Sequence, residues 1–387
     1  MIYSYGARNY YSFREGMDVS FKLSNKVPSN FSQGRKAATV LGIKGANASG
    51  KTNILKCLEF LAQFITESFG FDEGEYIGFD SYFDNESPSD FYIDFELSGV
   101  RYFYELCATP NEVVSEVLYR KLQRKTLVFE RKGLSIVDRP SELSAIDLVE
   151  LKSNASVIST VVKYKIKELH DIFLPIYEYF DNITGNVART SVVPDERMFK
   201  QGSASSFYYK TPDAFAFAKE IIKKSDLGIT DIVIHKNELA AGKTEYFPLF
   251  LHKVGNTGLT HYLSAYQQSS GTMALFRRLA MYWVVLTDGG VLVMDEFDQN
   301  CHPMLLPLLL ELFTDKKINR QNAQFIFTAH NSDIIDDLGK YRTILVSKKD
   351  GESYCYRLDD IPGDLIRNDR SIAALYREGK IGGVPIL

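Results

Sequence analysis

The 387-residue chain is 45% apolar and 24% charged, an ordinary balance for a soluble globular protein, and is long enough for two domains or for one with a large insertion. Its net charge of −4 gives no global attraction to nucleic acid or to an anionic membrane, so such binding would need local patches. The polar start is not a signal peptide, the longest apolar run (304–313) is too short to span a bilayer, and the four dispersed cysteines (Cys57, Cys107, Cys301, Cys355) suit neither zinc nor a disulfide framework. A reduced, cytoplasmic protein with no membrane partner is expected.

In chain order, the first informative element is the β-branched run AATVLGI, read as a buried strand. It leads into Gly45-Ala46-Asn47-Ala48-Ser49-Gly50-Lys51-Thr52, the G-x-x-x-x-G-K-[ST] pattern. Ile54, Leu55, Leu58, Phe60, Leu61 and Phe64 then recur at helical spacing. By composition the pattern arises by chance in roughly 1% of chains this long, before strand, loop and helix are required in that order. The glycines let backbone N–H groups approach phosphate at the positive end of the helix. Asn47, Ala48, Ser49, Gly50, Lys51, Thr52 and Asn53 are therefore expected to bind ATP, with Lys51 on the β/γ-phosphates and the Thr52 hydroxyl on Mg²⁺.

Residues 75–135 alternate apolar and polar and are rich in tyrosine and phenylalanine, which predicts antiparallel strands. From 141 to about 225 the pattern is helical, without the sustained heptads of a long coiled coil. The expected division is an N-terminal part with the phosphate loop (1–65), a β lobe (66–140), a helical insertion (141–226) and a C-terminal part (227–387). Basic clusters at Arg120, Lys121, Arg124 and Lys125, at Arg131 and Lys132, and at Lys163, Lys165 and Lys167 are interleaved with acids and read as solvated faces; a nucleic-acid track is the alternative.

Farther on, Ser269, Ser270 and Gly271 open a helix whose apolar face runs through Met273, Leu275, Phe276, Leu279, Tyr282, Trp283 and Leu286, with a stop at Asp288-Gly289-Gly290. A serine-capped helix start is a second anion-binding device. On one subunit it would duplicate the phosphate loop, so it is expected to serve the nucleotide of another subunit; an ordinary capped helix would carry the same residues. Next comes the strand Val291–Met294, ending in the acids Asp295 and Glu296. Asp295 is the expected Mg²⁺ partner, and Glu296 the group that polarises the attacking water. A third strand, Gln324 to Thr328, ends at His330, placed to donate to the γ-phosphate. The expected catalytic set is Lys51, Glu296 and His330, with Thr52 and Asp295 on the metal.

The order of phosphate loop, long insertion, "SSGT" helix, "VLVMDEFD" strand and "FTAHNS" strand resembles an ABC-like or SMC-type ATPase head. The implied fold class is α/β, a P-loop NTPase head with an antiparallel β lobe and a helical insertion. In that family two heads sandwich two ATP molecules, which implies a homodimer in which Ser270 and Gly271 contact the partner's γ-phosphate and Asp298 lies at the seam. The N-terminal stretch "YGARNYYSFREGMDVSF" matches the family at Asn9, Ser12 and Phe13, with Tyr11 where arginine is frequent. The tail resembles the AbiLi and RloA proteins of bacterial antiphage defence, and more distantly Septu PtuA, PARIS AriA and OLD-family heads. That likeness implies an ATPase controlling a separate effector, such as a nuclease, since only 57 residues follow His330 and they carry no nuclease constellation. The alternative is a DNA-repair or chromosome-maintenance ATPase that binds DNA directly.

Overall fold

Alternating and helical patterns fold into three sheets and intervening helices in the computed structural model, which describes residues 1–187, 203–238, 244–255, 257–362, 366 and 370–384. Strands β1 (Ile2–Arg8) and β2 (Met17–Ser20) and a single helical turn α1 (Ser29–Ser32) precede β3 (Val40–Gly45) and the long helix α2 (Lys51–Glu67). A meander follows: β4 (Ser89–Leu97), β5 (Val100–Ala108), β6 (Val113–Lys121), β7 (Lys125–Lys132) and β8 (Ser135–Asp138). Then come α3 (Val157–Tyr164), α4 (Lys167–Asp181), β9 (Ile183–Gly185), α5 (Ala204–Lys210) and α6 (Pro212–Ser225). The second half holds β10 (Ile229–Glu238), β11 (Thr244–Lys253), β12 (Thr260–Ser264), α7 (Ser270–Asp288), β13 (Val291–Met294) and α8 (Leu306–Thr314). It closes with β14 (Gln324–Thr328), α9 (Ile334–Leu338), β15 (Thr343–Lys349), β16 (Glu352–Arg357) and α10 (Ile372–Arg377).

Strand order is β2-β1-β4-β5-β6-β7-β8 in the antiparallel sheet and β16-β15-β3-β14-β13-β9 in the second, where all but β16 run parallel. Helix α2 lies between these sheets. Its Leu58, Leu61 and Phe64 share one core with Tyr5, Phe91 and Ile93 of the first sheet and with Ile43, Val293 and Ile326 of the second. The alternate residues Val40, Leu292, Met294, Phe325 and Phe327 face the other way, into a core built with α6, α7 and α8. Burial on both faces explains why these parallel strands read as unbroken apolar runs. Gln324 staples the two sheets: its side chain accepts from Ile2 N at 2.5 Å and donates to Ile2 O at 2.9 Å and Ala38 O at 3.1 Å.

Three features depart from the sequence expectations. Strands β1 and β2, from the segment grouped with the phosphate loop, pair into the sheet built from residues 89–138. Within the stretch expected to be helical, β9 adds an edge strand to the parallel sheet. Arg131, expected in a solvated cluster, is fully buried against Glu116 at 3.2 Å. The cause is a β-bulge: between Leu118 and Tyr119 the β6–β7 register slips by one residue, setting Glu116 opposite Arg131 on the core side.

Candidate nucleotide site

The parallel strands end together, and the predicted residues gather at those ends, where open α/β sheets place their ligands. Strand β3 delivers the loop 45–50, and Gly50, at φ +105, caps α2. A side chain at Gly45 would put its Cβ 2.4 Å from Val346 O, and one at Gly50 would meet Ser353 Oγ at 2.9 Å, so both positions need glycine. The outside of the loop is held by hydroxyls. Ser353 Oγ donates to Ser49 O at 2.7 Å and lies 2.8 Å from Ser12 Oγ, to which Asn53 also donates at 3.1 Å.

Lys51 Nζ donates to Gly45 O at 3.0 Å and Ala46 O at 2.8 Å. Burial lowers its pKa, with Asp295 and Glu296 pulling the other way. Thr52 Oγ1 donates to Asp295 Oδ2 at 2.8 Å, and Thr328 Oγ1 donates to the other Asp295 oxygen. Glu296 sits at φ 51, uncommon for a residue with a side chain, and its N–H is fixed by Thr328 Oγ1 at 2.8 Å. Its Oε1 lies 3.3 Å from His330 Nε2, both side chains being partly exposed. Lys51, Thr52, Asp295, Glu296 and His330 thus form one cluster drawn from three adjacent strands. Asp298 accepts the N–H groups of His330 and Asn331, at 2.9 and 2.6 Å, and so shapes the turn after β14.

Ser270 and Gly271 stand apart. Ser269 caps α7, accepting from Thr272 N at 3.0 Å, and leaves Ser270 exposed. Among the described residues no hydrogen bond joins Ser270 or Gly271 to the phosphate loop. Gly271 has a packing reason of its own, since a Cβ there would lie 2.9 Å from Asn300 O.

Asn186, just after β9, was not legible in the sequence. Buried, it accepts from Asp295 N at 2.7 Å and donates to Asp295 O at 2.9 Å, so the backbone of the strand-end acid is held from both sides. An Asn186→Ala protein leaves both groups unpaired and is expected to lose about 2–6 kcal/mol, at roughly 1–3 kcal/mol per buried unpaired group. Denaturant titration of the two proteins measures it; a loss below about 0.5 kcal/mol would show the brace to be dispensable. Thr328 and Ser353 were also missed, being single hydroxyls on strands with nothing local to mark them.

Residues 40–336 match the family described as "AAA domain, putative AbiEii toxin, Type IV TA system". The chain belongs to this AAA family. It is accordingly a P-loop, ATP-binding ATPase. Among solved structures, an SMC head bound to the C-winged helix domain of ScpA superposes with a TM-score of 0.50 at 13% identity, covering 93% of this chain and 98% of that one. The SMC head domain from Thermotoga maritima gives 0.45 at 15% identity, over 92% and 98% of the two chains. An SMC head with coiled coil and joint from Pyrococcus yayanosii gives 0.46 at 11%, over 97% and 99%. The fold is that of an ABC-like ATPase head. No curated protein matches the sequence significantly. No helix among the described residues is long and apolar enough to cross a membrane.

Proposed function

We propose that the chain hydrolyses ATP as a head-to-head homodimer and serves a bacterial antiphage system of abortive-infection type, controlling a separate effector such as a nuclease. The observation that carries the dimer is the exposed Ser270 on a capped helix with no bond to its own phosphate loop. A second subunit would present that helix start to the γ-phosphate held by the first.

The residues fit the expected ligands. The buried Ser49 hydroxyl has no hydrogen-bond partner, as suits a loop shaped for an anion. No group of three or more His, Cys, Asp or Glu able to hold a metal occurs among the described residues. Thr52 and Asp295 supply one hydroxyl and one carboxylate, matching the few protein ligands that Mg²⁺ takes beside phosphate and water. Mg²⁺ held there would supply charge neutralisation to the phosphate oxygens of the bound nucleotide. Lys51 transfers its ammonium from the loop carbonyls to the same oxygens. Glu296 accepts a proton from the attacking water, whose oxygen bonds to the γ-phosphorus as the bond to the bridging oxygen breaks, giving ADP and phosphate. His330, beside Glu296, donates to a γ-phosphate oxygen.

The defence role rests on the family description and on the resemblance of the tail. The test of it is to purify tagged protein carrying Glu296→Gln from its native host in ATP. A stoichiometric nuclease-like partner supports the proposal, whereas bare dimers carrying nucleic acid would replace it with a repair or maintenance role. For the dimer, Ser270→Arg is the cleaner probe, because substitution of Gly271 would also press on Asn300 within the same chain. It is expected to leave ATP binding within twofold and to cut hydrolysis at least about tenfold, equivalent to 1.4 kcal/mol or more of lost transition-state stabilisation. Full activity in this variant, or a rate per subunit independent of dilution in a monomeric sample, would sink the shared site.

A further inference from the structure

Lys44, the residue before the first glycine of the phosphate loop, is buried to 2% exposure although it carries a charge. Its Nζ donates to three consecutive carbonyls, Ala329 O at 2.6 Å, His330 O at 2.8 Å and Asn331 O at 3.1 Å. An ammonium has three donors and no acceptor, so the match is complete. On its other side the same turn gives the N–H groups of His330 and Asn331 to Asp298. The turn is therefore gripped through its carbonyls by the strand of the phosphate loop and through its amides by the loop after β13. The ring of Tyr376, on α10, lies 5.8 Å from Nζ.

We propose that Lys44 is a positioning residue for His330, holding the 329–331 turn at the height where the imidazole reaches Glu296 and the γ-phosphate. This rests on the proposed hydrolysis for its functional meaning, but the grip itself is a matter of geometry. A buried lysine is an expensive way to fill space, since burial penalises the charged form. Burial lowers the Lys44 pKa to about 8; Asp298 and Asp333 raise it and Lys51 lowers it further. Tyr376 faces it as a neutral ring. When the ammonium loses its proton two donors remain for three carbonyls, and the grip loosens as pH rises.

The test compares parent protein with Lys44→Met, and with Lys44→Gln, which keeps two N–H donors should the methionine protein fail to fold. The first readout is amide hydrogen exchange over residues 326–333, expected to quicken at least tenfold in Lys44→Met and by less in Lys44→Gln. The second is ATP hydrolysis, expected to fall at least tenfold in kcat with KM within twofold. The third is the pH profile of kcat/KM, which reports the free enzyme; the parent is expected to decline through about pH 8 and Lys44→Met to be flat there. Unchanged exchange in the 326–333 segment overturns the proposal, as does a lowered melting temperature with kcat intact, which would make Lys44 merely structural. A decline near pH 8 that persists in Lys44→Met belongs to another group and also overturns the proposal. If the parent protein hydrolyses no ATP with Mg²⁺, the proposed function fails, while the exchange experiment still decides the role of Lys44.

Discussion

Replacing Glu296 by glutamine is expected to slow hydrolysis at least about 100-fold, the usual contribution of a positioned general base, while ATP binding stays at or above the parent level. Glutamine matches glutamate in length and shape. It leaves intact the Thr328 hydroxyl bond to the backbone of residue 296 and asks the same φ of the chain. What it removes is the proposed acceptor for the proton of the attacking water. It also removes one of the two carboxylate charges that face Lys51, so affinity for the polyanionic nucleotide has no reason to fall. With binding preserved and turnover blocked, the proposed ATP-bound dimer should accumulate. Phosphate release, nucleotide binding and gel filtration in ATP measure the three effects. A rate reduced less than threefold would remove Glu296 from the role of base.

The second large effect concerns stability. Glu116 and Arg131 are both fully buried, and Glu116 also accepts from Tyr104 OH at 3.0 Å and from Val157 N at 3.0 Å, at the start of α3. Arg131 completes the tie by donating to Lys152 O, Gly133 O and Ala155 O. The pair fastens the antiparallel sheet to the helices behind it. Glu116→Ala strands a buried guanidinium and is expected to cost about 3–5 kcal/mol. Replacing both residues by methionine removes the uncompensated charge and should restore much of the loss. Denaturant titration of the three proteins checks this, and equal losses in the single and double variants would argue against stranded charge as the cause. Burial raises the Glu116 pKa, opposed by Arg131, the Val157 N–H and Tyr104. A carboxyl raised on folding contributes its stability below the unfolded pKa and loses it as pH rises through the folded value. Mild acid therefore does not weaken the fold through this group.

Much of the site could be read from the chain because each of its parts is local. A phosphate loop must follow a strand and open a helix, and an acid or histidine at the end of an apolar run belongs at the ligand edge of a parallel sheet. The bounds Val291–Met294, Gln324–Thr328 and Ser270–Asp288 followed from the same local patterning. Illegible were the groups whose meaning depends on a distant partner. Asn186 braces a residue 109 positions away, and Lys44 a turn 285 to 287 positions away. Arg131 misled for another reason. Without the bulge its strand would present the opposite face, and a single extra residue in a hairpin leaves no signature in composition or charge.

The place of β9 changes how this chain can be cut and rebuilt. Residues 141–226 look, on sequence, like a removable module set between two halves of a head. Within them Ile183–Gly185 form the rim of the parallel sheet, and the next residue is the amide that braces Asp295. Excising the segment to obtain a minimal ATPase would therefore take away one wall of the candidate nucleotide site, whereas grafts into the turn between β6 and β7 would leave that wall intact.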